Sequence, residues 1–150
     1  MDMRIYTIGF TQTTAEFFFD RLKNAGVKRL LDTRLYHSSP FSGFAKSRDL
    51  PYLLKELADA EYAHEPLLAP TEELLDEYRR DRKAKGAWES YVAGFQELMA
   101  EREIETALQQ DDFKAPTALL CSEVTAEHCH RRLICEYLAE HWPDLKALHL

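Results

Sequence analysis

Apolar positions along this chain follow two rhythms, one of strands and one of helices. Ile5-Tyr6-Thr7-Ile8-Gly9 is a short β-favouring run closed by glycine, which reads as a buried strand. Thr13-Thr14-Ala15-Glu16 follows as a capping box, with Glu16 three residues after Thr13. Phe17, Phe18, Leu22 and Ala25 then recur at helical spacing, and Gly26 stands where that helix would end. Residues 27–33 (VKRLLDT) are a second strand-like run. Strand, helix and strand within about thirty residues make a βαβ unit, whose crossover is nearly always right-handed.

The rhythm then breaks. Residues 34–48 carry Ser38, Ser39, Pro40, Ser42 and Gly43 with Phe41 and Phe44 between them, which predicts a long loop. Asp49 is placed to cap a helix with Pro51 in its first turn and Leu53, Leu54 and Leu57 along it. Glu61-Tyr62-Ala63-His64 predicts a third strand, ended by Pro66 and Pro70. Thr71-Glu72-Glu73-Leu74 starts another helix, whose charged stretch at 77–85 reads as a solvated face. Residues 87–109 predict a long helix, and Trp88, Tyr91, Val92, Phe95, Leu98 and Met99 have the spacing of a core stripe. Residues 116–121 (PTALLC) predict a fourth strand, 126–141 a helix and 145–150 (LKALHL) a last strand. This alternation predicts one α/β domain over residues 1–150. Its mainly parallel sheet has about five strands, with helices on both faces.

Composition narrows the function classes. The chain has 150 residues, 45% hydrophobic and 30% charged, which suits one globular domain. Asp and Glu number 26 against 19 Lys and Arg, a net charge of −7. That argues against non-specific binding of duplex nucleic acid and leaves room for a local positive pocket. No apolar run has the length of a membrane span, and Met1-Asp2-Met3-Arg4 does not read as a signal peptide. Three cysteines are too few for a disulfide scaffold, so a reduced, cytoplasmic setting is expected.

Ligands of open parallel sheets bind beyond the carboxyl ends of the strands. The sequence places Gly9, Phe10 and Thr11 there, then Asp32 and Arg34, then His64 and Glu65. After the fourth strand comes the densest cluster: Cys121, Glu123, Glu127, His128, Cys129, His130 and Arg131. Cys129 is expected in the first turn of a helix, where the dipole, His128, His130 and Arg131 would favour a thiolate. Packing as a small buried residue is the competing reading, and it is the one adopted for Cys135. Asp32 and Glu123 are candidate acid and base groups. Arg34, Lys46, Arg48, Arg131 and Arg132 are candidate anion holders, unless Arg34 merely pairs with Asp32 or Glu123. Cys121, Cys129 and a histidine such as His64, His128 or His130 could ligate zinc or iron. The Cys-x7-Cys spacing is weak, though, and helical neighbours at 128–130 would point apart. Glycine-rich nucleotide loops and the Gly-x-Ser-x-Gly elbow are absent from the sequence, so no cofactor is named.

Four segments together resemble the domain-of-unknown-function family numbered 488. They are Ile5-Tyr-Thr-Ile-Gly9, Leu31-Asp-Thr-Arg34, Leu119-Leu-Cys-Ser-Glu123 and His128-Cys-His-Arg131. The loop at 40–46 and the Glu61-Tyr62-x-His64 strand also fit, and Cys-x-Glu with Cys-His-Arg is the most specific mark. The resemblance covers essentially the whole chain and implies a Rossmann-like α/β domain. It implies a site at Gly9, Asp32, Arg34, His64, Cys121, Glu123, Cys129, His130 and Arg131. The chain departs from the family at Phe10, where histidine is usual. It departs again at Glu65-Pro66-Leu67-Leu68-Ala69, where a Leu-Pro-Glu-Leu-Gly-like segment is usual.

The sequence thus predicts an enzyme for a small anionic or phosphate-bearing substrate, which includes nucleotides and nucleic-acid ends. Cys129, Cys121, Glu123, Asp32 and His130 would be catalytic. Arg34, Arg131, His64, Gly9 and Thr11 would bind substrate. A non-catalytic anion or nucleotide binding module and a Cys/His metal protein are the alternatives.

Overall fold

The strand-like runs become β1 (Met3–Gly9), β2 (Arg29–Asp32), β3 (Glu61–His64), β4 (Thr117–Cys121) and β5 (Leu145–His149). They form one sheet in the order β3-β2-β4-β1-β5, and every neighbouring pair is parallel. Between them lie α1 (Ala15–Asn24), α2 (Leu50–Ala58), α3 (Glu72–Asp81), α4 (Ala87–Arg102), α5 (Ile104–Ala107) and α6 (His130–His141). This computed structural model describes residues 3–122 and 129–150.

Strand alternation splits the core into two layers. Ile8, Leu30, Ala118 and Leu120 face one way and pack with Phe18, Phe19 and Leu22 of α1 and Leu50, Leu54 and Ala58 of α2. Ile5, Leu31 and Leu119 face the other way. They pack with Tyr91, Phe95 and Met99 of α4 and Leu133, Ile134 and Leu138 of α6. The fold is therefore a single-domain Rossmann-like α/β sandwich, and the aromatics of α4 do form a core stripe.

Local signals set most element ends. Thr14, one residue beyond Thr13, caps α1 by accepting from the Phe17 amide. Gly26 lies just past the helix at φ +73°, a conformation that glycine adopts without a Cβ penalty. Thr71 caps α3 with its side chain, as the pattern predicts, whereas Asp49 stands at the N-cap position of α2 without a side-chain cap hydrogen bond. The expected helix over 87–109 is broken instead. Glu103 adopts φ +50°, ends α4 and starts the short α5. The expected helix over 126–141 begins at His130, and residues 126–128 lie outside the described residues.

The connections create one switch point. β2 and β4 are neighbours. The chain leaves β2 for α2 on one face and leaves β4 for α6 on the other. Open α/β sheets bind ligands in the crevice where neighbouring connections diverge like this. Among the described residues, no helix is long and apolar enough to cross a membrane.

Candidate functional site

Three reactive side chains meet at that crevice. Cys121 ends β4 and shares the parity of Leu119, so it faces the α4 and α6 layer. Cys129 is the N-cap of α6, with φ −135° and ψ 143°, rather than a first-turn residue. That extended backbone removes the divergence expected of helical neighbours. Cys129 and His130 both reach Cys121, and the ligand atoms of all three lie within 4.8 Å of one another, buried. The sulfurs of Cys121 and Cys129 are joined as a disulfide whose Cα atoms are 7.3 Å apart.

The surroundings of His130 fix its tautomer. Its Nε2 lies 2.8 Å from the Thr33 carbonyl oxygen and 3.0 Å from Thr33 Oγ1. The Thr33 hydroxyl itself donates to the Leu120 carbonyl, 2.8 Å away. Both partners of Nε2 therefore accept, so Nε2 carries the proton and Nδ1 keeps its lone pair. Nδ1 is 3.4 Å from Cys121 Sγ. Burial holds the imidazole neutral and pulls its pKa down to about 4, and neighbouring Arg131 adds to the drop. Cys121, not Cys129, is thus the sulfur that faces an acceptor nitrogen.

Asp32 is fully buried and fully engaged. Arg34 donates to it from its backbone N (3.1 Å), Nε (2.9 Å) and Nη2 (2.8 Å), and Tyr62 Oη donates at 2.7 Å. Burial and the Asp32 hydrogen bond both push the Tyr62 phenol upward in pKa. Arg34 stacks its guanidinium over Phe10, 5.1 Å from the ring centroid. Phe10 thus supplies a cation–π face. Arg34 is 3% exposed, and its Nη1 has no hydrogen-bond partner among the described residues.

The other candidates take varied places. His64 Nε2 donates to the Arg34 carbonyl at 3.0 Å, and its ring lies 4.0 Å from that of His37. Gly9 pairs with Cys121 across the sheet and accepts from Arg21 at 3.3 Å. Thr11 is exposed, and both its amide and its hydroxyl donate to the Ser122 carbonyl. Arg131 is completely buried and does not reach the cavity described below. Glu123 lies outside the described residues, as do Glu127 and His128. Cys135 is buried, and burial pushes its thiol up to about 12, which suits a structural residue.

A cavity of about 250 Å³ opens on the cluster. Cys121, Ser122, Cys129 and His130 form one part of its wall and Arg34 another. Tyr36, from the loop after β2, also lines it. Much of the remaining wall comes from α3, α4 and the turn between them, including Tyr78, Arg79, Arg82, Trp88 and Tyr91. Three arginines and no carboxylate appear among its described lining residues. Arg79 and Arg82 fall within the charged stretch that reads from the sequence as a solvated face. Both are exposed, yet they also border the cavity. Their position three apart beside Tyr78, on the sheet's α4 side, was the available signal.

Fold and site define a small parallel α/β protein with a cysteine–histidine cluster at the switch point of its sheet. The model of the family described as Domain of unknown function DUF488 matches residues 14–138, and the chain belongs to that family. No curated protein and no solved structure matches the chain.

Proposed function

We propose that this protein is an enzyme acting on a small anionic, phosphate-bearing substrate through Cys121 and His130. One observation carries the reading. The Cys121 sulfur and the His130 imidazole open together onto a cavity with three arginines and no carboxylate among its described lining residues, in a chain of net charge −7. Local charge of opposite sign to the whole molecule concentrates anions at the site.

An external dithiol opens the Cys121–Cys129 bridge by exchange, leaves two protein thiols and is itself oxidised to a disulfide. Cys121 Sγ–H then donates to His130 Nδ1; burial keeps this imidazole neutral in the bridged form, and a thiolate facing Nδ1 supplies the counter-charge that lets it take the proton and become an imidazolium. The Thr33 carbonyl orients that imidazolium from Nε2. Arg34, Arg79 and Arg82 hold the phosphate while Cys121 Sγ attacks phosphorus: an S–P bond forms, the P–O bond to the leaving group breaks, and the leaving oxygen takes a proton. Cys129 is the second thiol, and exchange with an external disulfide, which is reduced to two thiols, closes it on Cys121 again. Asp32 positions Arg34 through its two-pronged pairing. His64 holds the Arg34 backbone, and Glu123 is the candidate acid for the leaving group.

Inorganic phosphate tests the reading on the reduced protein. It should raise Tm and slow iodoacetamide alkylation of Cys121. The Arg79→Glu/Arg82→Glu double variant should lose both effects, and Cys121→Ser should keep the Tm shift. Phosphate stabilisation with Cys121 no more reactive than an ordinary thiol would leave an anion-binding module without chemistry.

The compactness of the cluster also favours a metal centre. Two sulfurs and one imidazole nitrogen within 4.8 Å suit zinc, with one position open. Elemental analysis of protein purified anaerobically decides between the two. About one equivalent of zinc or iron, lost in both Cys121→Ser and Cys129→Ser, would select the metal.

A further inference from the structure

We infer that the substrate is a nucleoside phosphate, its base stacked on the aromatic wall that includes Tyr36 and its phosphate held by arginines. The inference rests on the anionic-substrate reading above and names the substrate class.

The aromatic side of the cavity exceeds what packing needs. Tyr91 is core, with Phe95 stacked on it at 5.9 Å. Trp88 and Tyr78 are only half-buried and gather around Tyr91 at 5.5 and 4.9 Å. Tyr36 is 45% exposed and comes from a different element. An exposed ring has no core to fill, yet this one lines the cavity with Arg79 above it, 5.8 Å from its centroid. Rings interleaved with guanidinium groups bind flat, electron-rich bases that carry phosphate.

A second observation points to the phosphate. Arg34 is almost wholly buried on the cavity wall, with Nη1 unpartnered among the described residues. A buried guanidinium N–H without an acceptor is costly, and an anion in the cavity supplies one. Because the sequence lacks a glycine-rich phosphate loop, side-chain forks replace backbone amides as phosphate donors. A cavity of about 250 Å³ is just below the usual ligand-site range of about 300–1,000 Å³ and limits the ligand within it to a single nucleotide. The neighbouring groove shares Leu35, Tyr36, Arg79 and Ser122 with it and adds the fully exposed Phe41. A second nucleotide has a stacking surface there.

Calorimetry on the reduced protein tests this with adenosine 5′-monophosphate, ribose 5-phosphate and inorganic phosphate. The nucleotide should bind about tenfold more tightly than ribose 5-phosphate, the size of one base–aromatic stack. Tyr36→Ala should erase that preference and leave inorganic phosphate binding unchanged, and Tyr36→Phe should restore it. Equal affinity for nucleotide and ribose 5-phosphate overturns the inference while the anionic-substrate reading stands. No binding of any phosphate overturns both. A phosphorylated dinucleotide that binds more tightly than the monomer assigns the source to a strand end. Equal or weaker binding assigns it to a free nucleotide.

Discussion

His130 determines what Cys121 can be. Its Nε2 proton is held by Thr33, 97 residues earlier in the chain, so no local motif announces the pairing. The cluster of Cys121, Cys129 and His130 is legible in the sequence as a cluster. Which sulfur faces the imidazole is not, because that depends on the tautomer and on the extended backbone at Cys129. The same burial sets a pH dependence. The folded pKa of about 4 lies below the ordinary 6.5, so between these values the unfolded chain takes a proton that the folded one refuses. Stability from this group is complete above about 6.5 and falls as pH drops towards 4, by about 3 kcal/mol in all. Denaturant melts from pH 7 to 4 should show this slope, and His130→Gln should flatten it. Asp32 makes the companion case. Asp32→Asn leaves the buried Arg34 charge uncompensated and should cost about 3 kcal/mol or more in urea unfolding. Tyr62→Phe, which removes one hydrogen bond to the same carboxylate, should cost about 1–2 kcal/mol.

Elements follow the apolar rhythm closely where short-range chemistry controls them. β3 has the limits that Glu61 and His64 suggest, and Thr71 caps α3 through the Leu74 amide. The break at Glu103 is not legible, because nothing in a glutamate's residue type calls for a positive φ; the next residue, Ile104, is buried in the core. Nor is the docking of α3 on α4, which depends on one glycine. A Cβ on Gly94 would come within 2.7 Å of Leu74 Cδ1. Gly94→Ala needs only a small shift of that flexible side chain, whereas Gly94→Leu must push α3 outward. Gly94→Leu should destabilise by about 1–3 kcal/mol. It should also weaken phosphate stabilisation, since α3 carries Arg79 to the cavity. Loss of stability with phosphate binding intact would show that α3 does not form the anion wall.

At the scale of the molecule, the parallel sheet and its two helical layers were readable from alternation alone. The cavity was not, because it joins a loop after β2, the end of β4 and the α3–α4 turn, which only the folded order β3-β2-β4 brings together. Net charge pointed away from non-specific duplex binding and left room for a local positive pocket, and three arginines line the cavity at the switch point. The central claim is that Cys121, paired with His130 there, is a reactive thiol. The direct measurement is the rate of iodoacetamide alkylation of each cysteine in the reduced protein against pH, read by mass spectrometry. Cys121 should titrate below the ordinary thiol value of about 8.5. His130→Gln should move it back up, and Cys135 should stay unlabelled until the chain unfolds. Cys121 titrating as an ordinary thiol, equally in wild type and His130→Gln, would contradict the account.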